Sequence, residues 1–112
     1  SARVVESAAS LLGGEVYHYH TKLMRKDPRT GGAFAWHSDY GYWYSNGVLF
    51  PRLVTVFIAL DDCTRDNGCL QTFRGSHELG RLEHDFVGDQ QGIHDTERLD
   101  AIARVLPLDY HE

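Results

Sequence analysis

The chain has 112 residues, of which 42% are hydrophobic, 24% charged and 12% aromatic, so one folded domain is expected and a disordered tail is excluded. Eleven basic and 16 acidic residues give a net charge of −5 at pH 7, which argues against nucleic acid or an anionic membrane as a partner. No apolar run approaches the roughly 20 residues of a membrane-spanning helix, and the first residues lack a secretion-signal layout. We therefore expect a cytoplasmic protein.

The first half of the chain predicts a helix, a strand and an aromatic segment. Apolar residues recur at helical spacing from Arg3 to Leu12, and Gly13-Gly14 ends this pattern. From Glu15 to Lys26 the side chains alternate as they do in a strand, and one of the two faces is polar enough to line a cavity. The aromatic segment runs from Phe34 to Tyr44, and the turn signal Asn46-Gly47 follows it.

The second half predicts strands separated by turns. The clearest strand is Arg52 to Leu60, because its sequence is apolar on both faces, as is typical of a strand buried inside a sandwich or barrel. A short strand is expected from Cys69 to Phe73. The polar stretch after His77 is expected to be a long loop with one helical turn around Thr96 to Ala103. These elements together predict a mainly β fold, a jelly roll or barrel with a minor helical part.

The pair His37 and Asp39 is the first candidate for chemistry. On an extended chain, residues two apart point to the same side, so an imidazole nitrogen and a carboxylate oxygen can meet on one ion. This donor pair suits Fe(II), and a second His from a distant strand would complete the two-His, one-carboxylate set of non-haem iron oxygenases. His-x-Asp also occurs by chance in many proteins, so the pattern alone leaves metal binding open.

Four motifs narrow the choice because they occur in a familiar order and spacing. They are Trp36-His37-Ser38-Asp39-Tyr40-Gly41-Tyr42-Trp43, Ile58-Ala59-Leu60-Asp61-Asp62-Cys63-Thr64, Asn67-Gly68-Cys69-Leu70 and Gly75-Ser76-His77. Between about Tyr17 and about Leu82 the chain resembles the phytanoyl-CoA dioxygenase family of Fe(II)- and 2-oxoglutarate-dependent oxygenases. The resemblance implies a double-stranded β-helix, a cupin-like jelly roll, in which residues 1–112 form one partial domain, incomplete at both ends.

The resemblance also implies roles for single residues. It makes His37 and Asp39 two of the three iron ligands. Lys22 and Phe57 occupy positions that face 2-oxoglutarate in the family. Lys26 matches a basic residue that is common in the family and is the third candidate for binding 2-oxoglutarate, although a solvated lysine before a Pro-containing turn is an equally good interpretation.

Tyr42 and Trp43 belong to the aromatic run that follows the ligand pair. Strand-like alternation would turn some of this run away from the core and beside the metal, so we expect these two rings to contact substrate. Ordinary core packing is the alternative.

The remaining histidines are less promising as metal ligands. In the family, the third ligand is a His far downstream of the first, followed by an Arg that pairs with the distal carboxylate of 2-oxoglutarate. We expect both positions to fall beyond Glu112, with His111 as a less favoured local alternative. His84 and His94 lie in the polar stretch and are expected to be solvated.

The resemblance implies an Fe(II)/2-oxoglutarate-dependent dioxygenase that hydroxylates a small organic molecule, consumes O2 and releases succinate and CO2. Asp39 favours hydroxylation, because halogenases of similar fold lack the metal carboxylate. The alternative is a non-catalytic β-sandwich binding module that has lost its iron site, and the net charge disfavours a nucleic-acid demethylase. We expect little turnover from these 112 residues alone. The substrate and the oligomeric state stay open, because one fold serves many chemistries.

Overall fold

Helices and short antiparallel strands both contribute to the fold in a computed structural model that describes all 112 residues. The α-helices are α1 (Ala2–Leu12), α2 (Asp39–Ser45) and α3 (Thr96–Val105), and a single 3-10 turn spans Ser76–Glu78. The strands are β1 (Leu70–Phe73), β2 (Asp85–Val87), β3 (Gln90–Gly92) and β4 (Leu108–His111). None of the helices combines the length and the apolar character that crossing a membrane requires.

The four strands form two separate antiparallel ribbons. In the first ribbon β1 pairs with β4, and Phe73 lies opposite Leu108. In the second ribbon β2 and β3 form a hairpin in which Val87 lies opposite Gln90. Gly88 opens the turn of this hairpin with a φ of 65°, a conformation that glycine adopts without steric cost.

A small apolar core joins the second ribbon to α3. Leu82, Ile93 and Ile102 are buried together, and Phe73, Leu99 and Leu106 pack against them. Only 7 of the 112 residues are buried, and the radius of gyration is 15.1 Å. A tightly packed domain of this length has a radius of gyration of about 13 Å. The chain therefore leaves much of its apolar surface exposed.

The structure confirms three of the predicted elements. The helix predicted from Arg3 to Leu12 is α1, and the strand predicted from Cys69 to Phe73 is β1. The predicted turn around Thr96 is the full helix α3. Asp95 caps α3, because its side chain accepts a hydrogen bond of 2.9 Å from the Arg98 amide.

The prediction of a mainly β fold is not confirmed, because more residues lie in helices than in strands. The segments predicted as strands at 15–26 and 52–60 have no strand partner, and a strand without a partner leaves its backbone polar groups unpaired. In the second segment Val56 is 47%, Ile58 63% and Leu60 75% exposed. The apolar pattern of 52–60 is therefore present in the sequence, but no neighbouring strand covers it.

The expectation of a long loop after His77 is wrong in one respect. Before the chain reaches α3, the polar stretch contains the β2–β3 hairpin, which was not predicted. Short polar strands such as Gln90–Gly92 lack the apolar alternation on which strand prediction depends.

An ion pair closes the β1–β4 ribbon. The Nε and Nη2 atoms of Arg74 donate hydrogen bonds of 2.9 and 2.7 Å to the two carboxylate oxygens of Asp109. These hydrogen bonds, together with the charge of the guanidinium group, hold the pKa of Asp109 below its ordinary value. The same pair raises the pKa of Arg74.

We expect D109N to lower the thermal stability slightly at neutral pH, since exposed ion pairs contribute little. A lowered carboxyl pKa stabilises the folded state above the unfolded-state value of about 3.9, and this contribution disappears as the pH falls through the lower folded-state pKa. Thermal unfolding followed from neutral pH to about pH 2 should therefore show the gap in Tm between wild type and D109N closing in acid. The exposed Asp100 offers the matched control D100N. A gap that does not change with pH would contradict this account.

Candidate metal centre

His37 and Asp39 lie side by side at the start of α2. The Nε2 atom of His37 is 3.6 Å from Oδ1 of Asp39, and the two side chains are 46% and 39% exposed. Two donors that bind one ion at right angles with bonds of about 2.1 Å are about 3 Å apart. A movement of well under 1 Å would therefore bring both atoms onto one ion.

The backbone around Ser38 explains why the two side chains face each other. Ser38 is extended, with φ −117° and ψ 125°, so its two neighbours point to the same side as the sequence predicts. Asp39 is then the first residue of α2, where a carboxylate is favoured by the free N–H groups of the helix N-terminus. The extended conformation ends there, and the rest of the aromatic segment predicted from Phe34 to Tyr44 lies in a helix.

Each of the two candidate ligands is oriented by a hydrogen bond to its other polar atom. The Nδ1 atom of His37 donates to the Ala35 carbonyl at 2.9 Å, which leaves the lone pair of Nε2 free. The Thr55 hydroxyl donates to Oδ2 of Asp39 at 2.5 Å, while Oδ1 is the oxygen that faces the imidazole. Ligating His and carboxylate groups in metal sites are oriented by supporting hydrogen bonds of this kind.

The β2–β3 hairpin supports residues 35–39, which we call the ligand segment. The Ala35 amide donates to Oε1 of Gln90 at 2.7 Å, and the Ile93 amide donates to the Trp36 carbonyl at 2.8 Å. A Cβ atom on Gly92 would lie 2.8 Å from the Trp36 carbonyl oxygen, so only glycine allows this approach. The polar hairpin therefore packs against and hydrogen-bonds to the segment that carries the candidate metal ligands.

The described chain brings together two candidate ligands and not three. No group of three or more His, Cys, Asp or Glu side chains converges anywhere in it. His111, the local alternative for a third ligand, lies on β4 with its Nε2 atom 2.7 Å from the Thr72 hydroxyl. His77 lies exposed on the 3-10 turn, 3.9 Å from a carboxylate oxygen of Glu78.

The three residues expected to contact 2-oxoglutarate do not share one pocket. The Nζ atom of Lys22 lies 5.6 Å from the centroid of the Phe34 ring. The Nζ atom of Lys26 donates to the Gly68 carbonyl at 3.1 Å and so ties two turns together. Phe57 lines an open cleft of about 600 Å³ against the end of β4, and neither lysine lines that cleft.

Tyr42 and Trp43 are partly buried neighbours on α2. The Trp43 ring makes edge-on contacts with Tyr42, Tyr19 and His20, at centroid distances of 4.8, 5.1 and 5.6 Å. These contacts join the segment before the ligands to α2. Because the two aromatic residues are on a helix, the strand alternation that separated core-facing from site-facing rings does not apply.

The expectation that His84 is solvated is wrong. It is partly buried, and its Nε2 atom accepts a hydrogen bond of 3.0 Å from the Ser38 amide. A single His in a polar stretch carries no spacing signal that would have revealed this contact. The only trace in the sequence is Gly41, a glycine inside the aromatic run, against which the His84 ring lies.

The chain is similar in sequence to several known hydroxylases and dioxygenases. The L-proline trans-4-hydroxylase of Streptomyces griseoviridis is 37% identical over 93 residues, which are 82% of this chain and 35% of that protein. The ectoine dioxygenase of Nocardia farcinica is 38% identical over 76 residues, or 67% of this chain and 26% of the relative. The ectoine dioxygenase of Sphingopyxis alaskensis is 36% identical over 77 residues, which are 68% of this chain and 25% of that protein.

The aligned region spans between about a quarter and about a third of the length of these relatives. No solved structure matches the chain. The sequence profile of the family described as phytanoyl-CoA dioxygenase (PhyH) matches residues 1–109. Since this match covers nearly every residue, the chain belongs to the phytanoyl-CoA dioxygenase family.

Proposed function

We propose that the protein containing this chain is an Fe(II)- and 2-oxoglutarate-dependent dioxygenase that hydroxylates a small organic molecule and releases succinate and CO2. The observation that carries the proposal is the facing pair of His37 Nε2 and Asp39 Oδ1, 3.6 Å apart. Family membership supports the reaction class, and the names of the relatives specify a proline hydroxylase and ectoine dioxygenases.

The donor chemistry of the pair fits the proposed metal. One imidazole nitrogen and one carboxylate oxygen are two parts of the facial triad that holds non-haem Fe(II). In this proposal a second His supplies the third ligand, and an Arg pairs with the distal carboxylate of 2-oxoglutarate, as the family resemblance implies. When bound, iron and 2-oxoglutarate supply the activation of O2 that oxidises a C–H bond of the substrate.

The contribution of this chain is to hold the ligands ready and to shape the substrate side. The hydrogen bonds from His37 to the Ala35 carbonyl and from Thr55 to Asp39 hold one free donor atom on each ligand. Preorganised donors bind an ion without the cost of ordering two mobile side chains. Contacts of Lys22, Lys26 and Phe57 with 2-oxoglutarate stay predictions from the family resemblance.

The iron ligand His37 gives the decisive test of the function. Anaerobic addition of Fe(II) and 2-oxoglutarate to the protein that contains this chain should produce a weak visible charge-transfer band, and H37A should remove it because a donor is lost. The exposed His94 supplies the control variant H94A, which should keep the band. A band of full intensity in H37A would place the iron elsewhere. A folded wild-type protein with no band and no succinate release would favour the non-catalytic binding module.

We further propose that Tyr42 and Trp43 form a wall of the substrate site, since α2 carries them three and four residues after Asp39. W43A should uncouple 2-oxoglutarate consumption from product formation more strongly than it weakens iron binding, because the ring would shape the substrate side and not the metal. W43F keeps an aromatic ring and should retain most of the coupling. Equal losses in both measurements, with a large fall in Tm, would show instead that Trp43 is a packing residue.

The finer fold proposal is a double-stranded β-helix in which residues 52–60 form an interior strand. Two observations support it: the segment is apolar on both faces, and its Thr55 already contacts Asp39. Hydrogen exchange should then show the amides of 53–60 well protected in the protein that contains this chain, and much less protected in the isolated 112 residues. Equally fast exchange in both would contradict an interior strand.

A further inference from the structure

His84 is fixed by hydrogen bonds on both of its ring nitrogens. The Nδ1 atom donates to the Leu82 carbonyl at 3.0 Å, and the Nε2 atom accepts from the Ser38 amide at 3.0 Å. A carbonyl oxygen can only accept and an amide can only donate, so these partners select the tautomer with hydrogen on Nδ1. The ring therefore presents an acceptor to the residue that lies between the two candidate metal ligands.

The start of α2 is shaped to admit the His84 ring. A Cβ atom on Gly41 would lie 2.3 Å from Nδ1 and 2.4 Å from Cε1 of His84, and 2.1 Å from the Leu82 carbonyl oxygen. Any side chain at this position would push the 82–84 stretch away from the ligand segment. Gly41 is also one of the few buried residues of the chain, so this contact is closely packed.

The backbone that carries His84 is itself anchored. Leu82 is 8% exposed and packs with Ile93 and Ile102 in the core. The His84 ring is bonded to the Leu82 carbonyl on one side and to the partly buried Ser38 amide on the other. It therefore links the core to the ligand segment. A buried or partly buried amide that loses its acceptor costs free energy unless the backbone turns to find another partner.

We propose that His84 is a positioning residue for the metal pair of His37 and Asp39. By accepting from the Ser38 amide, it fixes the extended backbone at Ser38 and with it the distance between Nε2 of His37 and Oδ1 of Asp39. This inference rests on the proposed function, because it assigns His84 a role toward the metal. His84 itself does not coordinate the ion, since its Nε2 atom is engaged by the amide.

Two amide substitutions at His84 separate its two hydrogen bonds. Asn in H84N reaches only as far as Nδ1 and keeps a donor for the Leu82 carbonyl, but it leaves the Ser38 amide without its acceptor. Gln in H84Q is one methylene longer and places a carbonyl oxygen near the position of Nε2. Both variants are polar and similar in size, so a general effect of removing the ring should appear in both.

The test measures Co(II) binding by visible absorption in the protein that contains this chain, and the exchange rate of the Ser38 amide by NMR in the metal-free protein. H84N should weaken Co(II) binding by about 10- to 100-fold and speed the exchange of the Ser38 amide. H84Q should restore both toward wild type, and H94N, a change at an exposed His, should alter neither.

The outcomes distinguish this inference from the proposed function. If the wild-type protein binds no Co(II), or binds it no more tightly than H37A does, the proposed metal site is wrong. If wild type binds Co(II) through His37 and H84N binds as tightly, the positioning role is overturned while the metal site stands. Equal losses in H84N and H84Q, with unchanged exchange of the Ser38 amide, would also overturn it.

Discussion

The backbone of the ligand segment depends on hydrogen bonds from one distant stretch, residues 82–93. Gln90 accepts from the Ala35 amide and His84 accepts from the Ser38 amide, across separations of 55 and 46 residues along the chain. Backbone groups brought together by packing must be paired, so the segment cannot move without losing these partners. In our proposal this stretch, which contains neither His37 nor Asp39, helps to set the distance between them.

The candidate metal pair and the exposed apolar segment are linked through Thr55. This residue lies within 52–60, whose apolar side chains are largely exposed, and its hydroxyl holds Oδ2 of Asp39. In the proposed function both the ligand set and this segment gain further partners, a third ligand in one case and neighbouring strands in the other. Completing the sheet would then also fix the orientation of Asp39. Ligand geometry and fold are therefore coupled in this account.

Local patterns predicted local structure well, and long-range contacts were beyond them. The apolar spacing of residues 3–12 was sufficient to predict α1. The His37-Ser38-Asp39 motif predicted the facing pair, because side chains two residues apart on an extended backbone point to the same side. The strand predicted at 52–60 is not observed, because pairing requires a partner strand that no local pattern supplies. His84 and Gln90 were missed because single polar residues carry no periodic signal, although each contacts the ligand segment.

The central claim is that His37 and Asp39 hold one iron ion together. The most direct measurement is anomalous X-ray scattering at the iron edge from crystals of the protein that contains this chain, prepared anaerobically with Fe(II). The account predicts one peak about 2.0–2.2 Å from both Nε2 of His37 and Oδ1 of Asp39. A peak that touches neither side chain, or well-ordered crystals without any iron peak, would contradict it.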